Sequence, residues 1–153
     1  IGINHAEQAL QIMKGTDLDI ALIAGRYSLL DQISHHKLFP YALARNIDIS
    51  MGGVLNSGVL ANPVAGATYN YLPASDEIIA RAAKIGEFLK ARNIPLLAAA
   101  LQFPLRHPAV TSVLTGPRTA AELLENVDAF NLELPADIWA ELEDANLIER
   151  IPA

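Results

Sequence analysis

The glycine-rich turns of this chain each follow a short apolar run and precede a stretch of helical periodicity: LDIALIA opens into GRYS, IDISM into GGVLNSG, and VTSVL into TGPR. Strand-like runs that alternate with helices in this way predict parallel strands joined by helical crossovers, an α/β sheet either open or closed. Strands of that kind are covered on both faces and read as nearly continuous apolar runs. A content of 52% apolar and 18% charged residues suits such a chain, and 153 residues are enough for one core. In parallel α/β folds ligands gather at the C-terminal ends of the strands. All three glycine turns lie there, so the candidate site is built from three consecutive strand-to-helix turns together with Asn4, which follows a first strand end over residues 1–4.

Read in order, Asn4 caps a helix from His5 to Lys14, with Glu7 three residues later and Gly15 stopping it. Leu18 to Ala24 is a buried strand, Arg26 to Ser34 a loop or short helical turn, and Lys37 to Arg45 a helix with Pro40 near its start. Ile47 to Met51 is the next strand, and Asn62 to Pro73 a glycine-bearing loop. Ser75 caps a helix from Asp76 to Arg92 whose stripe is Ile78, Ile79, Ala82, Ile85 and Leu89. Pro95 sits in the first turn of a further helix reaching Leu105. The last helices span Ala120 to Phe130 and Pro135 to Leu147, the final one burying Ile138, Trp139 and Leu142.

The segment VTSVLTGPRTAAELLEN carries the densest signal. Gly116 lets the backbone approach a ligand closely. Thr119 caps the helix and Glu122 completes a capping box. With Arg118 beside the unpaired N–H groups of the first turn, this is a ready anion site.

The chain carries a formal charge of −6 and no basic cluster, which argues against nucleic-acid binding. It has no cysteine, so disulfides and thiolate chemistry are excluded. Its longest apolar stretch, Pro95 to Phe103, is too short to span a membrane. These features fit a cytoplasmic protein. With no start Met and a first strand that lacks its beginning, the chain is expected to be a piece of something longer. His35 and His36 are expected in an exposed loop, with no metal-ligand spacing to His5 or His107, so no metal site is expected.

The runs AGRYSLLDQ, GGVLNSGVLA and IPLLAAALQFPLRHPAVTSVLTGPRTAAELLENVDAF resemble the C-terminal half of aldo-keto reductases, in particular the branch of L-fucose, D-threo-aldose and pyridoxal dehydrogenases. The likeness runs through essentially the whole chain, residues 1–153. It implies half of a (β/α)8 TIM barrel: the end of strand five, then strands six to eight with their helices and a C-terminal helix. It also implies NAD or NADP as cofactor and an aldose or similar hydroxy-aldehyde as substrate, oxidised to a lactone.

Residue by residue, the resemblance places Asn4 at the nicotinamide carboxamide and Tyr27 stacked on the nicotinamide face. The Gln that many relatives carry three residues before that Tyr is Ala24 here. Gly53, Leu55, Ser57 and Gly58 fall in the loop over the pyrophosphate, Gly116 and Arg118 in the phosphate turn on the adenosine side, and Glu125 and Asn126 near adenine. Read without the resemblance, Tyr27 is better taken as a core aromatic, Glu125 is as good a solvated helix residue as a ligand contact and Thr119 is a cap, whereas Asn126 sits where Asn has poor helix propensity. NADP-preferring relatives often carry Arg where this chain has Glu122, and a carboxylate repels a 2′-phosphate, so NAD is favoured.

The family's catalytic Asp, Tyr, Lys and His lie on the other half of the barrel. No catalytic residue is expected here: Tyr41, Tyr69 and Tyr71 lack the required Lys context. The chain alone is expected to be inactive and to self-associate through its exposed sheet edges. Other readings are a non-enzymatic cofactor-binding barrel of the channel β-subunit type and a truncated assembly module.

Overall fold

A computed structural model describes residues 1–151, so the last two residues of the expected 1–153 unit lie outside the described residues. Strand β1 is Gly2–Ile3, followed by helix α1 (Ala6–Gly15), β2 (Ile20–Ala24), α2 (Ser34–Ala44) and β3 (Asp48–Gly52). A 3-10 turn at Asn56–Gly58 leads to a hairpin of β4 (Thr68–Tyr69) and β5 (Leu72–Pro73). Then come α3 (Asp76–Lys90), α4 (Leu96–Gln102), β6 (Val110–Leu114), α5 (Ala120–Phe130) and α6 (Ile138–Asp144).

Strands β1, β2, β3 and β6 form one sheet in that order, every pair parallel. Each strand lies beside the previous strand of the sheet in chain order, and right-handed crossovers then place all the connecting helices on the same face. That is barrel winding; a doubly wound sheet reverses its order midway and carries helices on both faces. Ala21, Ile23, Ile49 and Met51 point into the helix-covered face and are fully buried with Leu38 and Phe39 of α2 and Ile85 and Leu89 of α3. The alternate positions share the other face, where the Ser112 hydroxyl donates to Ser50 Oγ at 2.9 Å. The architecture is four strands' worth of a (β/α)8 barrel.

Several boundaries differ from the sequence reading. Helix α1 begins one residue after His5, and Asn4 does not cap it; its carbonyl instead accepts from Arg26 Nε at 3.0 Å. Helix α2 begins at Ser34 rather than Lys37, because the Ser34 and His35 amides already find the carbonyls of Arg26 and Gln32 at 3.1 Å. Pro40 therefore lies in the helix interior. The stretch read as a loop between Asn62 and Pro73 contains the β4–β5 hairpin, and α6 starts three residues after Pro135, which is in a preceding turn. Ser75 caps α3 as expected, accepting from the Ile78 amide at 3.3 Å. Of the predicted stripe on the last helix, Ile138 and Leu142 are buried and Trp139 is half-buried against Phe103.

Candidate functional site

The turn after β3 is shaped by contact with the turn after β2. Gly53 has φ +61°, and a side chain there would meet the Gly25 backbone nitrogen at 3.1 Å. The two turns are stitched by the Gly25 amide donating to the Gly52 carbonyl at 2.9 Å and by buried Asn56, whose Oδ1 accepts from the Ser28 hydroxyl. Asn56, Ser57 and Gly58 all have positive φ, three left-handed residues in succession. This coil projects Ser57 and Gly58 away from the sheet. The hairpin is fastened to it: Ser57 Oγ accepts from the Tyr71 amide at 3.0 Å, and the Ser57 carbonyl accepts from the Thr68 hydroxyl at 2.6 Å.

The turn after β6 forms the opposite wall. Thr119 caps α5, accepting from the Glu122 amide at 3.1 Å. The expected capping box is displaced by one residue: Glu122 Oε2 accepts from the Arg118 amide at 2.7 Å, and Oε1 pairs with Arg118 Nη2 at 3.0 Å. A carboxylate thus lies at the start of the helix, where anions are favoured. The Arg118 amide hydrogen bond, then the guanidinium, hold the Glu122 carboxyl below the usual carboxylate range.

Between these walls runs a groove of about 880 Å³, open to solvent. Eight of the ten residues singled out from sequence line it: Gly53, Leu55, Ser57, Gly58, Gly116, Arg118, Glu125 and Asn126. At Gly58 and Gly116 an added Cβ would meet nothing within 4 Å, so backbone at both walls is open to close approach by a ligand. Open backbone at both walls and the exposed guanidinium of Arg118 make this groove a candidate site for an anionic ligand.

Asn4 and Tyr27 do not join the lining. Asn4 is exposed at the end of β1 and held through its carbonyl by Arg26. Tyr27 is 0% exposed, its ring centroid 4.9 Å from both Phe39 and Phe103. Its hydroxyl has no hydrogen-bond partner among the described residues, and burial pushes its pKa well above the ordinary phenol value. Stacking on a nicotinamide is therefore corrected to core packing. The β2–α2 turn folds inward over the core, and its outward contacts are made by Arg26 instead.

Sequence reasoning missed Arg26 and Tyr71. Arg26 donates to the Asn4 carbonyl (3.0 Å), to Asp31 Oδ2 (2.7 Å) and to Asn70 Oδ1 at the hairpin tip (2.6 Å). One guanidinium thereby joins three segments of the rim. Its signal in the sequence was an arginine directly after the glycine that ends a strand. Tyr71 lines the groove from that hairpin tip. The hairpin's other tyrosine, Tyr69, is half-buried; burial, then the charge of Asp31, raises its pKa.

A second cavity of about 720 Å³ lies between the β2–α2 loop and the C-terminal segment, lined by Asp31, Gln32, Arg81, Glu143 and Glu149 among others. Beside it, His35 and His36 bring their Nε2 atoms to 2.9 and 3.0 Å from Glu149 Oε2. Helix α2 carries both rings, and His35 is buried, contrary to the exposed loop expected. The Glu149 amide also donates to Gln32 Oε1 at 3.3 Å, so this carboxylate tethers the end of the chain. Sequence spacing gave no hint of the cluster, because its third member lies over a hundred residues away.

Comparison with known proteins agrees with this fold. The Aldo/keto reductase family model matches residues 1–147. Pyridoxal 4-dehydrogenase from Microbacterium luteolum is 40% identical over 149 residues, covering 97% of this chain and 44% of that protein. D-threo-aldose 1-dehydrogenase from a Pseudomonas species is 36% identical over 150 residues, covering 97% and 46%. The chain spans about half the length of these relatives. The solved structure of a glycerol dehydrogenase from Gluconobacter oxydans superposes with a TM-score of 0.64 at 15% identity, covering 99% of this chain and 50% of that one.

Proposed function

Because the chain belongs to the aldo/keto reductase family, we propose that it is the cofactor-holding half of an NAD(P)-dependent dehydrogenase that oxidises an aldose or similar hydroxy-aldehyde to its lactone. The observation that carries this reading is convergence: turns some sixty residues apart, after β3 and after β6, form the two walls of one groove. The names of the two curated relatives, a pyridoxal and an aldose dehydrogenase, support the substrate class.

The residues divide the work by position. Backbone at Gly58 and Gly116 permits close approach of a phosphate chain, and Arg118 supplies the cation. Arg118 is largely exposed, so its pair with Glu122 exchanges readily for a ligand phosphate. Asn126, one α-helical turn beyond Glu122, offers an amide to a base edge. A dinucleotide held by these residues would supply the hydride acceptor for oxidation at the sugar's anomeric carbon. The hydroxyl proton passes to a base on the half of the barrel outside this chain, where the family's Asp, Tyr, Lys and His reside. The isolated chain holds a cofactor groove and transfers no hydride. The absence of cysteine fits a cytoplasmic setting.

Glu122 favours NAD over NADP. Its carboxylate is kept at the start of α5 by the Arg118 backbone amide even when the guanidinium turns to a ligand, and a 2′-phosphate brought there meets like charge. Steady-state kinetics of the full-length protein with a panel of aldoses test both parts. The expected outcome is aldose oxidation with the higher kcat/KM for NAD. A clear preference for NADP overturns the cofactor assignment; failure to oxidise any aldose overturns the substrate class.

A further inference from the structure

The tip of the β4–β5 hairpin holds the least comfortable backbone on the rim. Tyr69 pairs with Leu72, so Asn70 and Tyr71 alone form the connection, and their φ angles are +51° and +65°. Two consecutive left-handed residues in a two-residue loop are the signature of the type I′ turn, which strongly prefers Asn-Gly. Asn70 suits its place. Tyr71 stands where glycine is favoured, and a bulky side chain at positive φ is strained.

Strain of this kind persists only where the surroundings over-determine it, and here they do. Arg26 Nη2 holds Asn70 Oδ1 at 2.6 Å, and Ser57 Oγ holds the Tyr71 amide at 3.0 Å. The Thr68 hydroxyl adds a third tie to the Ser57 carbonyl at 2.6 Å. Yet Tyr71 is 84% exposed. The fold fixes its backbone from both sides and lets the ring project at the mouth of the groove that holds Ser57, Gly58 and Arg118.

We propose that Tyr71 is a ligand-contact residue whose ring covers the bound dinucleotide and shields it from water, with Arg26 and Ser57 as the positioning residues that hold the turn. This rests on the dinucleotide reading of the groove. An aromatic ring supplies a large, rigid contact at small entropic cost, which no glycine can offer. The backbone strain is thus retained for the side chain's sake.

The test compares Tyr71→Gly and Tyr71→Phe in the full-length protein, measuring NADH affinity by titration calorimetry and the midpoint of thermal unfolding. Tyr71→Gly restores the residue the turn prefers, so it folds and melts higher than wild type, while its NADH dissociation constant rises about tenfold. Tyr71→Phe keeps the ring and binds within twofold of wild type. NADH binding unchanged in Tyr71→Gly overturns the inference and leaves the dinucleotide reading intact; equal losses in both variants assign the contact to the hydroxyl and overturn the ring's role. A wild-type protein that binds no NADH overturns the underlying reading, and this inference with it.

Discussion

Tyr27 and Tyr71 show how little the type of a residue says about its job. Both sit in turns that follow a strand, and both are aromatic. The first is fully buried among Phe39, Phe103 and His107; the second is almost wholly in solvent. Tyr27 carries a hydroxyl with no partner among the described residues into an aromatic core, and an orphaned buried polar group is destabilising. Tyr27→Phe is therefore expected to raise the unfolding free energy by about 1 kcal/mol and to leave NADH affinity unchanged; a loss of stability in denaturant titration contradicts this account. A likeness to a family assigns a residue its place along the chain, not the side toward which it points. In a turn the strict alternation of strands is gone, and whether Tyr27 faces core or rim was decided by packing against Phe103, seventy-six residues away. Gly116 and Arg118 were legible because a glycine turn followed by a capped helix fixes its own local geometry, whereas Glu125 and Asn126, which line the same groove, were singled out only through the family resemblance.

At the scale of elements, the strands, the order of helices and the two main walls of the groove were readable, because hydrophobic period and turn chemistry are local. The hairpin was not. Its loop lacks the Asn-Gly pair that announces a type I′ turn, and its strands are two residues each, too short for a period to show. What holds it is non-local: Arg26 from the β2 turn and Ser57 from the β3 turn. Arg26→Ala removes three hydrogen bonds that join β1, the β2 turn and the hairpin. It is expected to speed amide exchange at residues 70–72 by tenfold or more, corresponding to about 1.4 kcal/mol of local stability, while leaving exchange in α3 and α4 unchanged. Exchange unaltered at the hairpin means that the tip is held by Ser57 alone.

At the scale of the whole molecule, β1 and β6 are the open edges of the sheet, and α5 has no buried residue among its eleven. Leu123, Leu124, Val127 and Phe130 on that helix are exposed, as is Leu114 at the end of β6. Unpaired strand edges and an apolar helix face call for cover. In the full barrel the remaining half supplies it. For the 153-residue chain expressed alone, light scattering is expected to give the mass of a dimer or larger; a well-folded monomer at micromolar concentration shows instead that the edges are self-sufficient.

The sheet's consecutive strand order bears on how such a molecule comes into being. A chain whose sheet strands each dock beside the previous one grows the way a wall is laid, course upon course, without waiting for a distant end to arrive. The connections from β1 to β2 and from β2 to β3 are much shorter than the one from β3 to β6, so the first three strands lose less entropy on pairing than the last one does on joining them.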